Sequence, residues 1–412
     1  MAKMVLSDLG DLRGRRVLVR TDFNVPLDKK SGAITNDRRI RAALPTVRAL
    51  LDAGAAVIVM SHLGRPSGDP AKDALLRMDR VAERFRELLG RPVLKAADTV
   101  VGPAVSAAAA AMKPGDVLLL ENLRFDPREQ KNDPEFAAAL AALADVYVND
   151  AFGTCHNDND ASMVAVPAAM KAQGKPRAVG LLVARELEVI DGLMSNPRRP
   201  LVAVMGGAKV SDKIAFIKAL LGKVDQLLVG GKMAYAFAKA QGVGVGAMDV
   251  ADDEVAAAAK LLPEVGRKIS LPADSLCAKP DQLDETCVAA GPIPPGWIGV
   301  DIGPKTLADY AGRIRSAGTV IWNGPVGWFE QPKFSVGTKG IADAMAASSA
   351  TTVVGGGETA EAVERFGLDG RMTHVSTGGG AFLAYVEGRP FASLAQIDDR
   401  TAAPGSSVVR RQ

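Results

Sequence analysis

Two kinds of cluster in the chain carry groups suited to chemistry. The first is cationic and hydrogen-bonding: Thr21-Asp22-Phe23-Asn24, Ser61-His62-Leu63-Gly64-Arg65-Pro66, Glu121-Asn122-Leu123-Arg124 and Asn149-Asp150-Ala151-Phe152-Gly153. With Arg38 from the Asp37-Arg38-Arg39-Ile40-Arg41 run, these segments offer His62, Arg65, Arg124 and Arg38 to a small anion and leave Asp22 and Asn24 for hydroxyls. Guanidinium groups hold phosphate or carboxylate through two parallel hydrogen bonds, which fixes orientation as well as affinity. Any one of these arginines taken singly reads as a solvated surface charge, because charged side chains are mostly exposed. It is their gathering that points to a site.

The second kind is rich in glycine: Gly206-Gly207-Ala208-Lys209, Gly230-Gly231-Lys232, Asn323-Gly324-Pro325-Val326-Gly327, Gly355-Gly356-Gly357-Glu358 and Thr377-Gly378-Gly379-Gly380. Glycine at a strand-to-helix turn lets main chain approach a ligand, and the helix start behind it presents unpaired amides to phosphate. One such cluster is equally a tight turn, but their recurrence points to a nucleotide. Neither a Gly-x-x-x-x-Gly-Lys-Ser/Thr loop nor a Gly-x-Gly-x-x-Gly after the first strand is present, which argues against an ordinary P-loop ATPase and a nicotinamide-binding domain. Lys209 and Lys213 stand four apart at the start of an expected helix, a spacing that turns both to one side. A polyphosphate there would relieve the conflict between these cations and the helix dipole; for Lys213 the reading as an exposed helix lysine stays open. Asp212 and Glu358 suit Mg²⁺, an ion that takes one or two carboxylates and completes its shell from phosphate and water. Asp212 is equally an N-cap candidate.

These clusters follow short β-branched or Leu-rich runs, and in open parallel sheets ligands bind beyond the carboxyl ends of the strands. The expected strands are Arg16–Arg20, Ala56–Met60, Val117–Leu120 and Val146–Val148 in the first half, and Leu201–Met205, Gln226–Val229, Thr319–Trp322 and Thr351–Val354 in the second. Amphipathic stretches between them, Met78–Leu89, Asp133–Leu143, Asp212–Leu221 and Asp252–Leu262, are expected helices, so the pattern is that of repeated βαβ units. A further helix over Ala184–Met194, closed by Ser195-Asn196-Pro197-Arg198-Arg199-Pro200, marks the domain junction. The polar stretch from Asp398 to Gln412 is expected to be a mobile tail.

The 412 residues suit two large domains. Lys and Arg total 50 against 47 Asp and Glu, a net charge of +3 that excludes a general polyanion-coating surface, so no nucleic-acid partner is expected. Charged residues at 24% and hydrophobic ones at 48% are the proportions of a chain with a buried core. Cys155, Cys277 and Cys287 lack metal-ligand or redox-pair spacing. No signal-type stretch opens the chain and no run reaches about 18 apolar residues. A cytoplasmic monomer without a membrane partner is expected.

The residues resemble phosphoglycerate kinases from about Leu6 to Ile397. The resemblance rests on Arg20-Thr21-Asp22-Phe23-Asn24-Val25-Pro26, Ser61-His62-Leu63-Gly64-Arg65-Pro66, Glu121-Asn122-Leu123-Arg124-Phe125, Val148-Asn149-Asp150-Ala151-Phe152-Gly153, Gly206-Gly207-Ala208-Lys209-Val210-Ser211-Asp212-Lys213, Trp322-Asn323-Gly324-Pro325-Val326-Gly327 and Ser376-Thr377-Gly378-Gly379-Gly380-Ala381. It implies an α/β protein of two doubly wound parallel-sheet, Rossmann-like domains facing a central cleft. A phosphoglycerate-binding domain over 1–185 would be followed by an interdomain helix and hinge over 186–200. A nucleotide-binding domain over 201–390 would then precede a segment, 391–412, that returns to the first domain. The implied reaction is reversible transfer of the acyl phosphate of 1,3-bisphosphoglycerate to ADP, giving ATP and 3-phosphoglycerate in glycolysis and gluconeogenesis, with Mg²⁺ accompanying the nucleotide. Carried over by position, Asp22, Phe23 and Asn24 resemble the glycerate-holding part. His62, Leu63, Gly64, Arg65 and Arg124 resemble the segment gripping the distal phosphate. Arg38 and Lys209 resemble the catalytic pair on the transferring phosphoryl group, and Lys213 the lysine on the nucleotide's phosphates. Gly303, Asn323 and Glu330 resemble the adenosine pocket and Gly231 falls at a further nucleotide position, while Gly356, Gly357, Glu358 and Thr359 resemble the phosphate and metal loop.

The chain departs from the pattern in places. Where the family reads Gly-Thr-Ala-His-Arg, this chain reads Gly153-Thr154-Cys155-His156-Asn157-Asp158-Asn159-Asp160, so Asn157 stands near the place of a substrate-binding arginine, with acids at Asp158 and Asp160. Glu358 replaces a common Asp, and Phe382 a common small residue. The missing arginine motivates an alternative, a catalytically weakened nucleotide-binding paralogue. A dehydrogenase is disfavoured by the absent dinucleotide fingerprint. His374, Trp297, Trp322 and Trp328 read as packing residues, and Cys155 as a buried inert thiol.

Overall fold

The structure is a computed structural model and describes residues 2–400. The chain divides into two compact units, one running up to Glu188 and resuming at Pro390, the other Val189–Arg389. The boundary falls inside the helix Leu181–Ser195.

The first unit is built on the strands β1 (Arg16–Thr21), β2 (Ala56–Met60), β3 (Leu94–Lys95), β4 (Val117–Leu119), β5 (Val146–Asp150) and β6 (Arg177–Val179), ordered β3-β4-β2-β1-β5-β6. Every pairing is parallel. All five residues of β2 and of β5 are buried, which is why these strands read as continuous runs and not as an alternation. The connection from β1 leaves toward β2 and that from β5 toward β6, so the order reverses between β1 and β5. A crevice opens beyond the strand ends at such a reversal. Helices cover the sheet through apolar stripes. In Asp79–Leu89 the stripe is Val81, Ala82, Phe85 and Leu89, and the helix ends on Gly90 in the left-handed conformation, its amide donating to the Arg86 carbonyl at 3.0 Å.

The second unit repeats the plan with β7 (Leu201–Met205), β8 (Gln226–Val229), β9 (Ile269–Ser270), β13 (Thr319–Asn323), β14 (Thr351–Gly355) and β15 (His374–Val375), ordered β15-β14-β13-β7-β8-β9. Its order reverses between β7 and β13. An antiparallel sheet of β10 (Asp274–Lys279), β11 (Gln282–Ala290) and β12 (Ile298–Ile302), ordered β11-β10-β12, is inserted before β13. None of its strands was expected: β11 is mostly exposed and groups its polar residues before its apolar ones, so it shows no hydrophobic alternation. The short edge strands β3, β6, β9 and β15 also escape a periodicity reading.

Two expectations need correction. The segment Asp212–Leu221 is not one helix: a 3₁₀ turn at Ser211–Lys213 precedes the α-helix Ile214–Leu221. The tail does not begin at Asp398, because that residue is fixed to the first unit. Its carboxylate accepts from the Arg177 amide at 2.9 Å and pairs with the Arg177 guanidinium, its own amide donates to the Arg177 carbonyl, and Asp399 pairs with Lys3 at 2.8 Å. Residues 401–412 of the expected tail lie outside the described residues.

Candidate active site

Beyond β1 the chain turns through Asp22, Phe23 and Asn24. The Phe23 ring packs into the core against Phe85, with centroids 5.1 Å apart, so only its main chain faces the edge. Asp22 accepts from Arg39 at 2.6 Å and from the Asn24 amide at 3.2 Å. Burial raises the Asp22 carboxyl, but the guanidiniums of Arg39 and Arg20 and the Asn24 amide hold it below the usual carboxylate range. Asn24 in turn accepts from the Gly64 amide at 2.8 Å, tying the first loop to the second. Asn122 locks the second loop by accepting from the Leu63 amide at 3.0 Å and donating to the Leu63 carbonyl at 2.8 Å. The same side chain caps the 3₁₀ turn that carries Arg124, whose guanidinium donates to the Gly64 carbonyl at 2.9 Å.

His62 is not the cation that its place in the cluster implies. It is 2% exposed, and burial together with the charge of Arg20 pushes its imidazole down to about 3, with Asp22 opposing. Arg20 Nη2 lies 3.2 Å from His62 Nδ1. A guanidinium can only donate, so Nδ1 is the acceptor and the proton of the neutral ring sits on Nε2. Fully buried Arg20 also donates to Ser162 Oγ at 2.9 Å and to the Thr21 carbonyl, and the Ser162 hydroxyl donates to buried Glu129 at 2.5 Å. Sequence reasoning saw Arg20 only as a strand residue; nothing local announces that it is the anchor of this network.

The cations left facing outward are Arg65, which is exposed and has no ion-pair partner among the described residues, and Arg124, whose Nε is buried without a partner. Arg124 also lines a cavity of about 790 Å³ shared with Ser67, Arg77 and Lys131. Arg38 opens the helix Arg38–Asp52, its amide donating to Asn36 at 2.8 Å. Asn157 donates to Asp160 at 3.0 Å. Asp160 is buried, and its charge acts on Arg124, whereas Asp158 turns away to accept the Ala392 amide at 3.2 Å. Asp160 is therefore the extra acid whose charge bears directly on Arg124.

In the second unit the loops after β7, β8 and β13 meet main chain to main chain. The Gly207 amide donates to the Pro325 carbonyl and the Gly231 amide to the Val326 carbonyl, both at 2.9 Å, and Met233 donates to the Gly207 carbonyl at 3.0 Å. At Gly231, φ is +66° and a Cβ would stand 2.7 Å from the Gly207 nitrogen, so both conformation and space demand glycine. Lys213 donates to Asn323 Oδ1, and burial pushes its ammonium down to about 8 against the pull of Glu358 and Asp212. Asn323 Nδ2 is buried without a partner, a donor in search of an acceptor. Thr359 fastens the β13 loop by accepting the Gly324 amide at 2.7 Å. Gly356 has φ +96° and precedes the helix Gly357–Arg365, while Gly379, first in the helix Gly379–Val386, lies against Gly356 and Gly357. Phe382 fills the core beneath this end, its ring against Gly355 and 6.2 Å from the ring of Phe216. That packing accounts for its departure from a small residue.

Lys209 and Lys213 do not share a helix face. Lys209 is exposed ahead of the 3₁₀ turn, and Asp212 lies within it, so Asp212 is not the N-cap of Ile214–Leu221. A cavity of about 450 Å³ lies beside the glycine loops, lined by Gly207, Gly231, Lys232, Pro325, Glu358 and an apolar wall that includes Tyr235, Met248, Val300 and Trp328. Asn323, Gly303 and Glu330 do not line it. Gly303 is the N-cap of the helix Pro304–Arg315 and packs on Asp274, and Glu330 is exposed beyond β13. Sequence reasoning missed the β12 wall because the antiparallel insertion was not legible, and it missed Tyr235, on the helix Met233–Ala240, and Met248 because neither stands in a motif. Among the described residues no three His, Cys, Asp or Glu side chains form a metal cage. The donor set fits a Mg²⁺ that arrives on phosphate, since two carboxylates, Asp212 and Glu358, flank Lys213 electrostatically.

Two doubly wound units, one presenting arginines and amides and the other glycine loops with a lysine, define an α/β kinase. The chain belongs to the phosphoglycerate kinase family, whose model matches residues 6–389. It is similar to the phosphoglycerate kinases of Moorella thermoacetica (50% identical, covering 97% of this chain and all of that protein) and Chloroflexus aurantiacus (51%, with the same coverage). Among solved structures it is similar to the phosphoglycerate kinases of Coxiella burnetii, with TM-score 0.82 and 37% identity, and Pyrococcus horikoshii, with TM-score 0.83 and 30% identity. Each alignment covers 96% of this chain and 98% of the other.

Proposed function

We propose that this enzyme transfers the acyl phosphate of 1,3-bisphosphoglycerate to ADP, reversibly, with the acid held at the strand ends of the first unit and the nucleotide at those of the second. The observation that carries this reading is the chemical asymmetry of the two edges: side-chain cations on one, interlocked glycine main chain with a partnerless Asn323 amide on the other. In the reverse direction a carboxylate attacks ATP, so no proton has to be removed and no base is required. Alignment and charge stabilisation suffice.

In this reading Asp22 and Asn24 orient the glycerate, and neutral His62 donates from Nε2 beside Arg65 and Arg124 to the distal phosphate. Arg38 and Lys209 serve the transferring phosphoryl group, and Lys213, Asn323 and the amides of Gly356 and Gly357 the nucleotide's phosphates, with Thr359 bracing that loop. The cavity walled by Tyr235, Met248 and Val300 takes the adenosine. Asp212 and Glu358 would hold Mg²⁺, which when bound neutralises charge on the phosphate oxygens. Closure about residues 186–200 excludes water from the acyl phosphate; an unchanged radius of gyration in scattering with both ligands would contradict it. The enzyme acts as a cytoplasmic monomer without nucleic-acid or membrane partners; among its described residues no helix is long and apolar enough to cross a membrane. The Asn157 departure does not favour a weakened paralogue, since relatives about half identical span nearly the whole chain. A coupled assay of ATP formation from 1,3-bisphosphoglycerate and ADP tests the proposal: turnover is expected, and nucleotide binding without turnover would overturn it.

A further inference from the structure

The sequence separates Cys277 and Cys287 by a turn and gives no redox-pair spacing, yet the fold sets them directly opposite each other in the antiparallel pair β10·β11. Directly opposed residues share a face, and their Cα atoms lie about 4.5 or 5.5 Å apart, within the window of about 4.4–6.8 Å that disulfides occupy. Cys277 Sγ donates to the Ser275 carbonyl at 3.6 Å, and neighbouring Cys287 acts on the same thiol electrostatically. Cys277 is buried and Cys287 is partly exposed, so one sulfur of the pair is open to a reagent and the other waits behind it. Cys155, by contrast, is buried away from this hairpin near Asn149.

We propose that Cys277 and Cys287 form a reversible cross-strand disulfide that reshapes the wall of the nucleotide cavity. The bond forms by exchange with a small-molecule disulfide. The Cys287 thiolate attacks one sulfur of the reagent and expels its other half as a thiolate. Cys277 then loses its proton to solvent and attacks Cys287 Sγ, expelling the second half. The cysteine pair gives up two electrons and two protons, and the reagent is reduced to two thiols. Burial pushes the Cys277 thiol up to about 11, so the more exposed Cys287 attacks first and Cys277 reacts only once the mixed disulfide is held beside it.

The link to the cavity is one strand wide. Cys277 is paired on its other side with Gly299 of β12, which lines the cavity. Gly299 has no side chain where the Tyr235 hydroxyl sits, so the tyrosine packs directly on this strand. A disulfide draws the Cβ atoms from about 5 Å to about 3.8 Å, so β10 is pulled toward β11 at the point where it supports Gly299 and Tyr235. The effect on the cavity rests on the nucleotide reading above; the bond itself does not.

The test treats the full chain, folded, with oxidised glutathione. The free-thiol count is expected to fall from three to one, with a peptide linking positions 277 and 287 that is two hydrogens lighter than its parts and is released by dithiothreitol. The KM for ADP should rise at least threefold, with the KM for phosphoglycerate unchanged, and Cys287→Ser should be insensitive. Three surviving thiols, a stable glutathione adduct on Cys287, or a link between chains would overturn the proposal. So would a disulfide that leaves the ADP KM unmoved; Lys213→Ala, assayed alongside, tells whether the nucleotide reading falls with it.

Discussion

Raising the pH from 7 to 9 should neutralise Lys213 at the nucleotide edge while leaving the phosphoglycerate edge intact, because burial has brought the Lys213 ammonium down to about 8. Burial destabilises the charged form, so in the free enzyme the protonated fraction is about 0.9 at pH 7 and about 0.1 at pH 9. If only the ammonium binds phosphate, the KM for ADP should be level below pH 7 and rise about tenfold by pH 9, since bound phosphate holds the proton that the free enzyme loses. ADP contributes no slope of its own there, its terminal phosphate having an ionisation near about pH 6. At saturating ADP the ammonium is retained, and kcat should stay nearly level. The assay is steady-state kinetics at several pH values with ADP and phosphoglycerate varied in turn. Lys213→Arg keeps the charge and should flatten the profile, whereas Lys213→Ala should raise the ADP KM about ten- to a hundredfold at pH 7, the worth of a charge-assisted hydrogen bond of about 1.5–3 kcal/mol. An ADP KM level from pH 7 to 9, or an equal slope in Lys213→Arg, would refute the reasoning.

Four further outcomes follow from the same contacts. Asn157→Arg should lower the KM for phosphoglycerate, by less than the about tenfold a new charge-assisted hydrogen bond allows, because Asp160 will pair with the new guanidinium; adding Asp160→Asn should restore the rest, and equal KM values throughout would discard the idea. His62→Gln, which can still accept from Arg20, should bind phosphoglycerate within about threefold of the parent, while His62→Ala leaves the buried Arg20 Nη2 without its acceptor and should lower stability by about 1–3 kcal/mol in urea unfolding. Gly231→Ala combines left-handed backbone with a main-chain clash and should lower stability by about 2–5 kcal/mol, measured by the shift in Tm. Asp150 is buried with one oxygen unpartnered, and burial raises its carboxyl to about 7. Raised above its unfolded value, it favours the folded state while protonated and draws stability down as pH climbs from about 4 to 7. Asp150→Asn should therefore gain Tm relative to the parent at pH 8 and not at pH 4; an equal shift at both would remove burial as the cause.

What could be read before the fold was known is set by burial on both faces. β2, β7 and β13 lie at the centres of their sheets and are buried throughout, so each showed as a short, mainly apolar run with its chemistry at the carboxyl end. β11 was invisible because Gln282–Ala290 is mostly exposed and does not alternate polar with apolar residues, and with it went the Ile298–Val300 wall of the cavity. The types of the site residues were legible and their states were not. His62 counts as a cation in sequence, but its neutrality comes from burial and then from Arg20, distant in sequence and fully buried beside it. The spacing of Lys209 and Lys213 implied one helical face, and the 3₁₀ turn between them removes it. Cross-strand register, which sets Cys277 opposite Cys287, depends on a bulged hairpin that no spacing rule announces.

Amide hydrogen exchange of the full chain, with each ligand alone, tests the division of labour most directly. 3-Phosphoglycerate should slow exchange in 20–24, 61–65 and 122–125 only, and Mg-ADP in 206–213, 230–233, 323–327 and 355–359 only. Protection of the same segments by both ligands, or of the first set by the nucleotide, would contradict it.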